Sequence, residues 1–191
     1  MIFYLIKKGI ISLKKNGIKF TYKKLISYIN RKKHISSLSK HIHLNNSEKL
    51  FQYNTKFPKN IKISIITPLY NTPRKFLIKM IDSVIAQTYY NWELCLADGS
   101  DIQHEYVKNI CNDYSNKDKR IIYKKLEKNE GISDNTNIAI DMSSGDYLGL
   151  LDHDDLLHPS ALYEVIKVIC YEYADFIYSD EATFINDTII L

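Results

Sequence analysis

The sequence predicts an α/β protein: a mainly parallel sheet with flanking helices, preceded by a basic helical N-terminal extension. Three observations carry this. From Ile61 onward, short β-branched or apolar runs alternate with segments of helical apolar spacing. Turn formers and acidic clusters stand directly after several of those runs. The charge is also divided: residues 1–60 hold 14 Lys/Arg against Glu48 alone, whereas residues 61–191 hold 12 Lys/Arg against 21 acids. A basic arm joined to an acidic domain follows, with boundaries at residues 1–60 and 61–191.

Composition narrows the class. A chain of 191 residues with 45% hydrophobic and 25% charged residues is globular, neither disordered nor collagenous. Cys95, Cys111 and Cys170 are odd in number and form no C-x-x-C pair, which argues against a disulfide framework or a thiolate zinc site. Buried free thiols in a reducing cytoplasm are expected. No apolar run reaches the ~18 residues of a membrane span. Met1–Ile6 has no basic region before it and is cut by Lys7-Lys8, unlike a secretory signal.

Residues 1–35 set Ile2, Leu5, Ile6, Ile10, Leu13, Ile18, Tyr22, Leu25, Ile26 and Ile29 among lysines at near-helical spacing. A basic amphipathic helix suits an anionic membrane surface, here the inner face of the cytoplasmic membrane, or packing on a domain or partner. No nucleic-acid signature accompanies it. Residues 36–60, rich in Ser, Asn, His and Lys, read as a linker. His34, His41 and His43 read as exposed histidines rather than a metal site.

Ile61–Ile66 is a first strand stopped by Thr67-Pro68. Pro73 opens a helix whose stripe is Phe76, Leu77, Met80, Ile81, Val84 and Ile85. Trp92–Ala97 is a second strand ending at Asp98-Gly99-Ser100, followed by a helix through Tyr106, Ile110 and Tyr114. Ile121–Tyr123 is a third strand, and after Asn129-Glu130-Gly131 a helix spans about Ser133 to Met142. Tyr147–Leu151 is a fourth strand, all apolar but for its glycine and therefore read as buried. A helix after Pro159 and a fifth strand at Asp175–Tyr178 complete the pattern. Such alternation specifies right-handed βαβ units, whose ligands bind beyond the carboxyl ends of the strands.

The strand ends therefore hold the candidates. Asp152, Asp154 and Asp155 place three carboxylates within four residues. Crowded carboxylates repel, and a hard divalent cation, Mn²⁺ or Mg²⁺, relieves this while gripping a diphosphate. A solvated helix cap is the competing reading. Asp98 can accept a hydrogen bond from a base or ribose, or serve as a turn residue. Tyr70 suits stacking on a nucleobase or a place on the rim.

Taken together, the motifs resemble family 2 glycosyltransferases of the GT-A fold. Ile63–Asn71 is similar to that family's first strand and loop. Ser83-Val84-Ile85-Ala86-Gln87-Thr88-Tyr89 with Trp92-Glu93 resembles its S-x-x-x-Q-T-Y-x-x-W-E segment, and Asp98-Gly99-Ser100 its D-G-S loop. Asn129–Ser133, Asn137 and Gly145-Asp146-Tyr147 precede the D-x-D element in the family's order. Leu151–Asp155 with Pro159-Ser160-Ala161-Leu162-Tyr163 resembles the rhamnosyltransferase-like branch that builds O-antigen and other surface polysaccharides.

The resemblance implies a metal-dependent transfer of sugar from a UDP- or dTDP-sugar to a glycan or lipid-linked glycan acceptor. Pro68, Tyr70 and Asn71 would line the nucleotide pocket, and Asp98 would meet the base. Asp152 would contact the ribose side, Asn137 would join the donor site, and Asp154 with Asp155 would hold the metal. Asp134-Asn135-Thr136 departs from the family, which more often has small residues or an arginine before the asparagine. The general base and the acceptor half are expected beyond Leu191, which makes the chain look like a donor half. A non-catalytic nucleotide-sugar-binding remnant is the first rival. A nucleotidyltransferase is less compatible, since Pro68-Leu69-Tyr70-Asn71 is not a glycine-rich phosphate loop.

Overall fold

The computed structural model describes residues 44–179, 181–185 and 188–190. The arm expected over residues 1–35, and His34, His41 and His43, lie outside them. Two compact units are present, one of them Leu44–Ile177.

That unit opens with helix α1, Asn46–Asn54, inside the stretch expected to be a linker. Its start is a capping box: Asn45 accepts from the Glu48 amide, and the Glu48 carboxylate accepts from the Asn45 amide. No residue of α1 is buried. It is tied down by Thr88, whose hydroxyl donates to Gln52 Oε1 at 2.6 Å. Beyond it, Phe57 packs edge-on against Tyr89 and Tyr163.

The expected alternation follows. Strand β1 is Ile63–Leu69, helix α2 Arg74–Ile85, β2 Trp92–Asp98, α3 Tyr106–Lys117 and β3 Ile121–Lys125. Then come α4 Ile132–Asp141, β4 Tyr147–Leu150 and α5 Ala161–Glu172. The four strands form one parallel sheet in the order β3-β2-β1-β4. β1 runs through Pro68 rather than stopping before it. Its ladder with β4 ends at Ile66, so Pro68 has one neighbouring strand and its missing N–H breaks nothing on the other side.

Alternation along β1 and β2 divides the core. Ile63, Ile65, Leu94 and Leu96 face Leu77, Met80, Ile81 and Val84 of α2, Val107 and Cys111 of α3, and Ile166 and Ile169 of α5. Ile66, Cys95 and Ala97 face Ala139 of α4. Burying each large aliphatic side chain contributes roughly 1.5–3 kcal/mol. All three cysteines are free and buried.

β4 departs from the expectation of a buried strand. Among the described residues it pairs with β1 alone, and Leu148 and Leu150 are 49% and 75% exposed. What fixes this edge is a buried carboxylate. Glu93, 2% exposed, pairs with Lys62, accepts from Ser64 Oγ at 2.6 Å, and accepts from the amide of Ser144 at 2.5 Å. Ser64 Oγ in turn accepts from the Gly145 amide at 2.8 Å. Burial alone would raise the Glu93 pKa, but Lys62, Ser64 and Ser144 outweigh it and bring it down to about 2.

The fifth strand expected at Asp175–Tyr178 does not form. α5 ends in a left-handed Tyr173 (φ 55°), and the segment after it joins no ladder; Phe176 is 84% exposed. In the other unit the described residues include an antiparallel hairpin, β5 Thr183–Ile185 and β6 Thr188–Ile190. Among the described residues no helix is long and apolar enough to cross a membrane.

Candidate functional site

The strand order creates a crevice. From β1 the chain winds outward to β2 and β3, then returns to place β4 on the other side of β1. The segments leaving β1 and β4 therefore diverge at the carboxyl end of the sheet, the place where open α/β sheets bind ligands. A crevice of about 300 Å³ lies there. Pro68, Leu69 and Tyr70 contribute one wall from the end of β1. Asn129, Ile132 and Asn135 contribute a second from the turn before α4 and its first residues. Asp152, His153 and Asp154 contribute the third, after β4. A second hollow of about 390 Å³ lies against α1, but Ser47, Leu50, Phe51, Asn54 and Thr55 bring no titratable group to it.

The sequence candidates separate into three groups. Pro68, Tyr70, Asp152 and Asp154 line the crevice, with Tyr70 49% exposed at its rim. Asp155, Asn137 and Asn71 are outside its lining. Asp155 is exposed, and its amide donates to the Asp152 carbonyl, closing the turn that carries the carboxylates. Asn137 is an exposed residue of α4. It stands two positions from Asn135, and residues two apart on a helix do not share a face.

Asn71 adopts φ 51°, a left-handed conformation asparagine tolerates. Its amide donates to Ser100 Oγ at 2.9 Å, and its side chain exchanges two hydrogen bonds with Asp101. It thus ties the segment after β1 to the segment after β2. The His104 imidazole, 2.6 Å away, with the Asn71 side-chain amide and the Gln103 backbone amide, holds the Asp101 carboxyl below the usual carboxylate range.

Asp98 lies beneath the crevice and is fully buried. Its Oδ1 accepts from the Ser100 amide and its Oδ2 from the Tyr123 hydroxyl, both at 2.8 Å. Lys125 stands 3.7 Å from Oδ2 and donates to the Asp98 and Ser100 carbonyls. Burial, then the Asp98 carboxylate, pushes the Tyr123 hydroxyl well above its ordinary pKa and keeps it a donor.

Ile132, Asn135 and His153 are crevice residues that sequence reasoning did not single out. His153 sits between the two lining aspartates. Asn135 is 2% exposed. Its Oδ1 accepts from the Glu130 amide, and its Nδ2 donates to Asn129 Oδ1 at 2.8 Å. The burial of an asparagine in an amphipathic helix is the signal, visible once the helix phase is known.

A cation fits part of this arrangement. Among the described residues no three His, Cys, Asp or Glu side chains form a ready cage. Asp152 and Asp154 nevertheless offer hard oxygen donors in one crevice, and Mg²⁺-type ions take one or two carboxylates and complete their shell with substrate phosphates.

Among curated relatives, the chain is 44% identical over 120 residues to the uncharacterized protein y4gI of Sinorhizobium fredii, covering 62% of this chain and 13% of that one. It is 37% identical over 116 residues to glycosyltransferase GlyA of Streptococcus pneumoniae, covering 60% and 16%. The chain thus spans a small part of the length of these relatives. Among solved structures, S. aureus TarS in complex with UDP-GlcNAc superposes with a TM-score of 0.54 at 25% identity, over 60% of this chain and 33% of that one. The family model for glycosyl transferase family 2 matches residues 64–187, which takes in β1 from its second residue through β4, all three walls of the crevice and α5. By that match the chain belongs to glycosyl transferase family 2, with a GT-A-like fold.

Proposed function

We propose that the crevice binds a nucleotide-sugar donor, a UDP- or dTDP-sugar, and that the sugar passes to a cell-surface glycan or lipid-linked glycan acceptor. The observation that carries this is the convergence of Pro68 and Tyr70 with Asp152 and Asp154 at the switch point between β1 and β4. The likeness to TarS, whose structure holds UDP-GlcNAc, supports a nucleotide-sugar ligand.

In this reading Tyr70 offers its ring to the nucleobase at the rim, and Pro68 shapes the floor. Asp98, fully buried, organises the base end from behind, through the Ser100 amide and the Tyr123 hydroxyl that it holds. Asp152 accepts from ribose hydroxyls. Asp154, with Asp155 in the same turn, would hold Mn²⁺ or Mg²⁺, which offsets the charge that develops on a diphosphate leaving group. Transfer then requires the acceptor oxygen to bond the anomeric carbon as the bond to the diphosphate breaks, with the hydroxyl proton passing to a base. No described residue of the crevice is assigned that base.

Calorimetry of UDP and dTDP, with and without Mn²⁺, tests the donor site. Binding is expected to require the metal and to vanish in Asp154→Ala. A variant that binds like the parent in Mn²⁺ overturns the metal role, and a parent that binds neither nucleotide overturns the donor site.

A further inference from the structure

Asn135 is buried in the wall of the crevice, yet the reaction outlined above gives it no task. Both ends of its side chain bond to the turn that precedes its own helix. Oδ1 accepts from the Glu130 amide at 3.2 Å, and Nδ2 donates to Asn129 Oδ1 at 2.8 Å. Asn129 Oδ1 also accepts from the Gly131 amide at 3.0 Å. That oxygen therefore takes two donors, the number its lone pairs accommodate. With Oδ1 committed to these two donors, the side-chain amide of Asn129 is held in one orientation, which leaves Nδ2 as the unspent side-chain donor of a residue that lines the crevice.

The packing beneath is equally specific. A Cβ on Gly99 would lie 2.9 Å from Asn135 Nδ2 and 3.1 Å from Asn129 Cα. Glycine at the end of β2 is thus what lets the asparagine pair close against the sheet. Gly131, at φ +91°, completes the turn in a conformation open to glycine.

We propose that Asn135 is a positioning residue for the donor: it locks the amide of Asn129 so that Nδ2 presents a hydrogen-bond donor to an acceptor oxygen or nitrogen of the bound nucleotide. The inference rests on the donor site proposed above. Asn135 acts through Asn129 and does not itself touch the ligand. Free in solution, an asparagine amide turns either edge to a partner; here one edge is chosen before the ligand arrives, which removes part of the ordering cost of binding.

The test is a double-mutant cycle on UDP affinity in Mn²⁺, by calorimetry, with the thermal midpoint and amide exchange of the free protein measured alongside. Asn129→Ala and Asn135→Ala are each expected to weaken UDP about tenfold, the size of one well-made hydrogen bond. The double variant should also lose about tenfold rather than about a hundredfold, because both changes remove the same contact. In Asn135→Ala the Glu130 and Gly131 amides should exchange faster. Gly99→Ala, which pushes on the same amide, should reproduce the affinity loss without adding to that of Asn135→Ala.

A multiplicative loss in the double variant shows that Asn135 works apart from Asn129 and overturns the proposal. So does unchanged affinity in Asn135→Ala in a parent that binds UDP. A parent that binds no nucleoside diphosphate overturns the donor-site reading first, and this inference with it.

Discussion

Replacing Glu93 by glutamine should cost this protein about 2–3 kcal/mol at neutral pH, and the cost should fade in acid. The carboxylate is 3% exposed and holds Lys62, the Ser64 hydroxyl and the Ser144 amide. These partners bring its pKa from 4.5 down to about 2. At ~1.4 kcal/mol per tenfold change in proton affinity, that difference is worth about 3 kcal/mol. The Lys62 side chain is 34% exposed and keeps part of its hydration, which trims the figure towards 2. The folded carboxyl is the stronger acid, so its contribution is complete above the unfolded value of 4.5 and disappears as pH falls towards 2. Urea titrations of parent and Glu93→Gln at pH 7 and pH 3 would measure both gaps. At ~2–4 °C per kcal/mol, the thermal midpoint should drop about 4–12 °C at pH 7. A variant within about 0.5 kcal/mol of the parent at pH 7, or a gap just as large at pH 3, would refute the reasoning.

Other substitutions probe neighbouring claims. Gly145→Ala brings a Cβ to 2.5 Å from Ser64 Oγ and 2.8 Å from the Lys62 carbonyl, and should lower stability by about 1–3 kcal/mol in denaturant melts. Gln87→Ala removes the acceptor of the buried Leu162 amide and the donor to the His158 carbonyl. It should cost about 2–3 kcal/mol, read by the same melts, and fray the start of α5. Asp98→Ala should weaken UDP in Mn²⁺, because Ser100 and Tyr123 lose their common acceptor; unchanged affinity in calorimetry removes Asp98 from the base end.

Much of the sheet and its helices is legible in the amino-acid sequence because each element buries one periodic face. Leu77, Met80, Ile81 and Val84 announce α2 by spacing alone, and all four are buried. Elements without a buried face are harder to read. α1 buries nothing, and its trace is the capping pair Asn45 and Glu48 within a polar stretch. Asp175–Tyr178 has the composition of a strand, but a strand exists through its neighbour, which composition does not encode. The site divides in the same way. Asp152 and Asp154 follow from an acidic turn at a strand end, whereas Asn135 depends on helix phase, which a motif centred on Asn137 does not convey. The enclosure of Asp98 depends on Tyr123, a residue from the adjacent strand.

The crevice is also mechanically lopsided. The segment after β1 is backed by a seven-residue ladder to β2, which is itself laddered to β3, and by the Asn71–Asp101 clasp. The acidic turn hangs from β4, whose ladder to β1 is four residues long and, among the described residues, has no second strand outside it. One jaw is thus braced by two successive ladders, whereas the other takes its bracing from one short ladder and, past the turn, from the Leu157 amide on Ser83 Oγ and Gln87 on the His158 carbonyl, so the placing of Asp152 and Asp154 rests on α2 as much as on the sheet.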